Sequence, residues 1–501
     1  MNIFWIVTDS ICSYERSDLH SLLPIYKKLK KNKEGFFFKN ALSQFTSTNL
    51  SIFSFLTGRF PYYIFPDYYP SIKFLPSYKY KNNIFPLKRE NYKIQAIMHS
   101  KEAVDVFKDI LNPYYVNNMY HGDHLLDSKE VYHFLAEKIN ELDINENNFI
   151  YVHFRPTDPE TNSYMNKIVY LLKEMGFWEK SIIIINSDHG YYDKSIYKKI
   201  NLIHFNDIHQ TSLLSALFIK LPPNLTSKIP RTIKKRVYLM DIMETILDYL
   251  NIKADHERES ISFKELIEKD IDINKNRKIR GDCYLMFQPI KKTVIIKDNW
   301  KLFNNNGKFT LYNLNEDNLE KKDVKKKYPK IYTELYQFYL DTELKAYKIF
   351  KSTLNTLYNH NNLTLLEYEN ILVPHQFPPQ LANYLKENLK IKNKIVKPSE
   401  IGISNSIKNQ SLITILFFNR LTGYRLKKLQ RKYRKYTKKF IILDTALSDV
   451  SDQINNTGYM KFVIRSLITR KKQLFQRWKE ILIWTLYFPL YFNKFMKKYY
   501  N

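Results

Sequence analysis

The sequence predicts an α/β protein, with a mainly parallel sheet covered by helices, a small antiparallel C-terminal subdomain and an additional small α/β module. Three observations lead there. Strand-like apolar runs at Ile3 to Thr8, Phe149 to His153, Ser181 to Ile185 and Leu214 to Ile219 alternate with helical patterns at Met165 to Met175 and Val237 to Leu250. Such alternation builds a parallel sheet with helices on its faces. From Cys283 onward the pattern changes to short alternating runs at Thr293 to Ile296, Trp300 to Phe303 and Phe309 to Tyr312, the last two separated by the hairpin signal Asn305-Asn306-Gly307. Further strands are expected at Ile371 to Pro374, Leu412 to Phe418 and Phe440 to Leu443, with a strongly basic helix between the last two.

Domain limits follow from the same pattern. A helix-like segment at Tyr328 to Leu340 closes the subdomain, and the polar, Asn-rich stretch near Tyr358 to Asn362 reads as a boundary. The main unit is therefore placed at residues 1–345, with 283–345 its antiparallel part. A small module follows at 346–450, and a basic aromatic helical tail at 451–501.

The chain has 501 residues, 44% of them hydrophobic, so it is long and apolar enough to bury a large core and is not generally disordered. Against 50 acidic residues stand 79 Lys and Arg, a formal charge of +29 that favours phosphate-rich or otherwise polyanionic partners. Specific nucleic-acid binding is not expected, because no helix-turn-helix, zinc-finger or RNP pattern accompanies the charge. Cys12 and Cys283 are the two cysteines, which excludes a disulfide framework and a cysteine zinc site and suits a reducing compartment. The opening run Met1 to Asp9 reads as a first buried strand and not as a signal peptide. No apolar stretch reaches the ~18 to 20 residues that span a bilayer as a helix. The expected location is cytoplasmic, peripheral at the inner face of the membrane. Residues 461–501 suggest how: Lys461, Arg465, Arg470, Lys471, Lys472 and Arg477 precede Trp478, Trp484, Tyr487 and Phe488, a mixture suited to an anionic membrane surface or a polyanionic acceptor.

Ligands of open α/β sheets bind beyond the carboxyl ends of the strands, so polar residues just after the apolar runs are the candidates for chemistry. Four groups stand out: Thr8-Asp9-Ser10, Thr48 to Gly58, His153 to Pro159, and Asn186-Ser187-Asp188-His189-Gly190. Their order and spacing resemble the sulfatase-like branch of the alkaline phosphatase/sulfatase superfamily. Ile6 to Ser10 resembles its opening strand and metal aspartate, and Phe38 to Gln44 its F-x-N-A-x-S-Q approach to the nucleophile. Thr48 to Gly58 resembles the nucleophile helix ending in Leu-Thr-Gly. Ile183 to Gly190 resembles the strand that delivers Ser-Asp-His-Gly to the metal. Asp241 to Ile252 resembles a late helix, and Trp300-Lys301-Leu302 with Leu311-Tyr312-Asn313-Leu314 two C-terminal strands. The resemblance covers residues 1 to about 340.

What it implies is concrete. Thr48 is the nucleophile, and Asp9, Thr48, Asp188 and His189 surround one divalent cation, Mn²⁺ or Zn²⁺, with Ca²⁺ or Mg²⁺ as alternatives. His153, Arg155 and Asp158 belong to a stretch that resembles the family's D-P-H-D-P loop, with Thr157 in place of its histidine, and are candidates for substrate binding. His204 and His209 could bind substrate phosphate or a second metal. Family sulfatases oxidise a Cys or Ser in a Cys/Ser-x-Pro-Ser-Arg motif to an aldehyde. Threonine cannot give that aldehyde, and Leu50 and Ile52 replace the proline and the arginine. The implied function is a phosphoester hydrolase or phospho-headgroup transferase, similar to lipoteichoic acid synthases and phosphoethanolamine transferases, acting on a phosphorylated lipid or glycan. Two readings stand beside it: a sulfuric ester hydrolase, and a binding protein on a catalytically silent sulfatase fold.

Overall fold

The computed structural model describes residues 1–15, 20–60, 84–99, 118–120, 126–154, 160–191, 208–254, 258–284, 291–305, 308–342 and 345, together with four strands between 370 and 444. The chain divides into two compact units, Met1–Glu367 with Gln376–Ile391, and Tyr368–His375 with Lys392–Asn501.

In the first unit nine strands form one sheet: β1 (Asn2–Thr8), β2 (Phe36–Leu42), β3 (Lys93–Met98), β4 (Asn118–Tyr120), β5 (Asn148–Phe154), β6 (Ser181–Ser187), β7 (Leu214–Lys220), β8 (Thr232–Ile233) and β9 (Val237–Tyr238). The order is β4-β3-β5-β1-β6-β7-β2-β8, with β9 also on β2. All pairings are parallel except those of β7, which runs antiparallel to both β6 and β2. Every residue of β1, β5 and β6 is buried. Burial on both faces is why these strands read as continuous apolar runs.

Alternation within β1 divides the core in two. Ile3, Trp5 and Val7 join the layer that holds Leu50, Phe53, Phe55 and Leu56 of the helix Thr48–Thr57. Phe4 and Ile6 face the opposite layer, closed by Val131 and Leu135 of the helix Ser128–Glu141 and by Met165 and Ile168 of the helix Thr161–Glu174. Trp5 reaches across the carboxyl half of the sheet, its Nε1 donating to Asn186 Oδ1 at 2.5 Å.

A meander of β10 (Lys278–Tyr284), β11 (Lys291–Lys297), β12 (Trp300–Asn305) and β13 (Lys308–Asn313) makes the antiparallel subdomain. It begins five residues before the expected Cys283. The alternating charges of β10 look like a loop in sequence, yet Arg280 and Asp282 are buried and paired through two contacts of 2.7 and 2.9 Å. The expected helix Val237 to Leu250 is a second difference: β9 and a 3₁₀ turn at Leu239–Asp241 precede a shorter helix, Ile242–Tyr249. The buried Asp241 explains the break, because its Oδ1 accepts from Ile261 N and its carboxylate is held by Arg277. A helix at 329–342 covers the small sheet.

In the second unit β14 (Asn370–Leu372), β15 (Ile395–Val396), β16 (Leu412–Phe418) and β17 (Lys439–Asp444) form a parallel sheet in the order β15-β14-β16-β17. The expected basic helix, the Asn-rich boundary, the turn residues Asn306 and Gly307 and the tail lie outside the described residues. No helix among the described residues is long and apolar enough to cross a membrane.

Candidate metal centre

The parallel register decides which side chains meet. Thr8 lies opposite Phe154 of β5 and Ser187 of β6, and Met98 of β3 lies opposite His153. Asp9 and Asp188 thus leave adjacent strands at one level of the carboxyl edge, with His99 after β3 one residue below that level and His153 on β5 two residues below it. Backbone pairing runs one step past the strands, with Asp9 N donating to Phe154 O and Asp188 N to Thr8 O, both at 3.1 Å.

Ser10 stands at a positive φ of 60° and turns the chain so that three of its groups serve the site. Its N–H donates to Asp188 Oδ1 at 2.9 Å, its hydroxyl donates to Asp9 Oδ1 at 2.5 Å, and its carbonyl accepts from His20 Nδ1 at 2.9 Å. His20 stacks on Tyr191 with ring centroids 3.4 Å apart, joining the loop after β1 to the loop after β6. Ser187 Oγ accepts from Ile11 N at 2.6 Å and lies 2.9 Å from Thr8 O and 2.8 Å from His189 O. Gly190 donates its N–H to Ser212 O, and a Cβ there would fall 2.2 Å from Thr211 O and 2.5 Å from Leu214 O. The serine and the glycine of Ser-Asp-His-Gly are therefore packing requirements, and the Asp and His between them are carried to a fixed place.

One oxygen of Asp9, one oxygen of Asp188 and one nitrogen of His189 lie within 4.8 Å of one another. His189 Nδ1 approaches Gly190 O at 2.7 Å. A carbonyl only accepts, so Nδ1 carries a proton and Nε2 is the nitrogen turned towards the carboxylates, 3.5 Å from Asp188 and 3.7 Å from Asp9.

Thr48 comes from the other side, at the first turn of its helix. Buried hydroxyls along that helix are satisfied by the segment before it: Ser51 pairs with Ser43 Oγ at 3.0 Å, and Ser54 donates to Gln44 Oε1 at 3.4 Å. Gly58 ends the helix in the left-handed region, φ 64°, with its N–H on Ser54 O. Thr48 lies close enough to Asp188 to favour its ionised carboxylate, the smallest of the influences on that group.

Electrostatics separate the two carboxyls. Burial is the largest influence on Asp188 and pushes its pKa up to about 6, helped by Asp9 and opposed by His189. Burial also opposes ionisation of Asp9, but His189, the Ser10 hydroxyl, His99 and His153 together hold it below the usual carboxylate range. Burial, followed by His99, keeps His153 well below an ordinary histidine, hence neutral. The His99 and His153 rings lie 4.9 Å apart, and His153 Nδ1 is 3.2 Å from Tyr151 OH.

At the level of sequence, no family model and no curated relative matches the chain. Solved structures do. Ps i-CgsB in complex with k-i-k-neocarrahexaose matches with a TM-score of 0.55 at 14% identity, covering 73% of this chain and 98% of that one. BT1596, a 2-O GAG sulfatase, matches at 0.54 and 12% identity, over 70% and 93%. The phosphonate monoester hydrolase of Agrobacterium radiobacter matches at 0.53 and 12% identity, over 74% and 97%. This is the alkaline phosphatase/sulfatase fold. It is the fold of hydrolases of sulfate and phosphonate esters.

In this alkaline phosphatase/sulfatase-like chain the donor set fits a cation. Two carboxylates and one imidazole with its ring nitrogen directed inward are ordinary ligands of Zn²⁺ or Mn²⁺, and their separations are those that bonds of roughly 2.0 to 2.2 Å bridge. Asp188 Oδ2 supports the fit, since it is fully buried and lacks a partner at normal hydrogen-bond distance, whereas Oδ1 accepts two backbone N–H groups. Of the residues named from sequence, Asp9, Asp188 and His189 meet, Thr48 reaches Asp188, and His153 faces the same edge. His209 is placed beyond Gly190, against Glu320 at 3.3 Å. Arg155, Asp158 and His204 lie outside the described residues. Sequence reasoning missed His99, although an apolar run, Ile94 to Met98, delivers it to the carboxyl edge as others deliver Asp9 and Asp188.

Proposed function

We propose that this protein is a metal-dependent phosphoester hydrolase or phospho-headgroup transferase that works through a covalent Thr48 intermediate on a phosphorylated glycan or lipid. The observation that carries the reading is the cluster of Asp9, Asp188 and His189, with Thr48 at the start of its helix near Asp188. A divalent cation held by those residues would lower the hydroxyl pKa and neutralise charge developing on the phosphoryl oxygens. Thr48 supplies the attacking oxygen, and its place at a helix start turns backbone N–H groups towards an anionic group. His153, kept neutral by burial, lines the neighbouring edge beside His99, where its imidazole can donate to a phosphoryl oxygen.

Sulfate ester hydrolysis is the competing reading, favoured by the sulfatases among the structural neighbours. The nucleophile weighs against it, because a threonine cannot mature to the aldehyde those enzymes use. Aryl phosphodiesters offered with Mn²⁺ or Zn²⁺ should therefore turn over much faster than aryl sulfates. Thr48→Ala should lower kcat by about 10⁴-fold or more, as loss of a nucleophile does, and remove the phosphorylated-peptide mass from the wild-type digest. A faster aryl sulfate, or a fully active Thr48→Ala, would sink the proposal.

A further inference from the structure

The candidate ligands sit on two loops, Asp9 after β1 and Asp188 with His189 after β6. A half-buried imidazole, His20, later in the connection that begins at Asp9, spans them. Its Nδ1 donates to Ser10 O at 2.9 Å, since a carbonyl only accepts, and its ring lies flat on Tyr191, with centroids 3.4 Å apart and planes 3° from parallel. The His20 carbonyl accepts from Cys12 N at 3.0 Å, so its main chain and side chain both hold the stretch just after Asp9. Cys12 Sγ in turn lies 3.8 Å from Tyr191 O.

Peptide planarity carries these contacts to the ligands. The Ser10 carbonyl shares its peptide plane with Ile11 N–H, which donates to Ser187 Oγ at 2.6 Å. That plane is gripped at both ends, by His20 and by the serine of Ser-Asp-His-Gly. Ser10 keeps a φ of 60°, where a residue with a Cβ stays only when its surroundings impose it. In that conformation its N–H reaches Asp188 Oδ1 and its hydroxyl reaches Asp9 Oδ1. On the other loop, the Gly190 carbonyl that accepts from His189 Nδ1 belongs to the peptide leading into Tyr191. A shift of the Tyr191 backbone would turn that carbonyl, and the His189 imidazole with it.

We infer that His20 is a positioning residue for the cation: its hydrogen bond to Ser10 and its stack on Tyr191 fix the Asp9 loop against the Asp188–His189 loop. This rests on the metal-dependent reading above. His20 gives no bond to the ion. Its contribution is preorganisation, because two loops that each carry a carboxylate are held together by the fold before the ion arrives. Without the clamp, ordering the loops would be charged to cation binding, and affinity would fall by that amount.

The test titrates Mn²⁺ into the metal-free full chain by calorimetry and follows the urea midpoint of the same protein in EDTA. His20→Ala should weaken Mn²⁺ binding about ten- to a hundredfold, as removing a group that orients metal ligands does, with the metal-free midpoint little changed. His20→Phe keeps the ring and loses the donor, whereas His20→Asn keeps a donor and loses the ring. Each should fall between wild type and His20→Ala, and Tyr191→Phe should bind as the wild type does. A lowered metal-free midpoint with unchanged Mn²⁺ affinity would mean a structural tether only and overturn the inference. If His20→Ala does not fold, His20→Phe and Tyr191→Leu carry the test, and wild-type affinity in both overturns it. A wild type that binds neither Mn²⁺ nor Zn²⁺ removes the metal-dependent reading and the role of His20 with it. A wild type that binds the ion, beside variants that bind it equally well, removes the role of His20 alone.

Discussion

His189 shows how a single bond decides chemistry at the residue scale. Its Nδ1 is committed to Gly190 O, so Nε2 has no choice but to face two carboxylates at 3.5 and 3.7 Å. Such a cluster needs a proton or a cation to balance it. With Asp188 raised to about 6, a proton competes with the cation below that pH and is displaced above it. Thermal stabilisation by added Mn²⁺ or Zn²⁺ should therefore be strong above pH 6 and fade as the pH falls through it. Asp188→Asn removes one ligand charge, and equilibrium dialysis should find its metal content reduced from about one ion per chain to near zero. Retention of the ion by that variant would place the cation elsewhere.

The helix Thr48–Thr57 and the loop after β6 make the same point at the scale of elements. Both carry motif residues that hold backbone in place. Ser43 and Gln44 satisfy the buried hydroxyls of Ser51 and Ser54, so residues 50–57 of this helix can lie inside the core. Gly190 lets the loop that bears Asp188 and His189 approach the turn before β7. Gly190→Ala would drive a methyl group into two backbone carbonyls, which cannot rotate away as a side chain can. It should lower stability by about 3 kcal/mol, an overpacking cost at the upper end of the usual range. Chemical denaturation would measure it, and an unchanged midpoint would mean that the two segments are not in close contact.

Across the whole first unit, the small sheet is joined to the large one by buried polar contacts as well as by apolar packing. Asp282 N donates to Gln44 O at 3.0 Å, and Lys301 and Glu320 meet His209 and Gln210. Burial opposes ionisation of Glu320, but Lys301 and His209 outweigh it and bring the pKa from 4.5 down to about 2. A depressed carboxyl stabilises the fold above its unfolded pKa and loses that contribution as the pH falls towards the folded one. The wild type should thus lose up to roughly 3 kcal/mol between pH 4.5 and 2 from this group alone. Glu320→Gln should show a shallower fall over that interval in acid denaturation. Parallel curves for the two proteins would show that Glu320 does not link the sheets.

Sequence by itself determined the class of fold and named the three residues, Asp9, Asp188 and His189, that the fold brings together. Apolar runs with a polar residue at the end mark β1, β5 and β6, because strands buried on both faces must be apolar throughout and must present their chemistry where they emerge. Asp9, Asp188 and His189 are legible as candidates for that reason, and Thr48 through the resemblance of its segment to a nucleophile helix ending in Leu-Thr-Gly. Only the tertiary structure decided what depends on partners distant in the chain. His99 is an ordinary histidine after a strand until the register sets it beside His153. Arg280 and Asp282 look like surface charge until each buries the other. Glu320 looks like one acid among several until the two sheets close on it and Gln210 and Lys301 meet its carboxylate beside His209. Local pattern reports which groups a segment must bury, whereas the pairing of buried charges is fixed by contacts between segments about 90 to 110 residues apart, as Lys301 with Ile208 and Gln210 with Glu320 are.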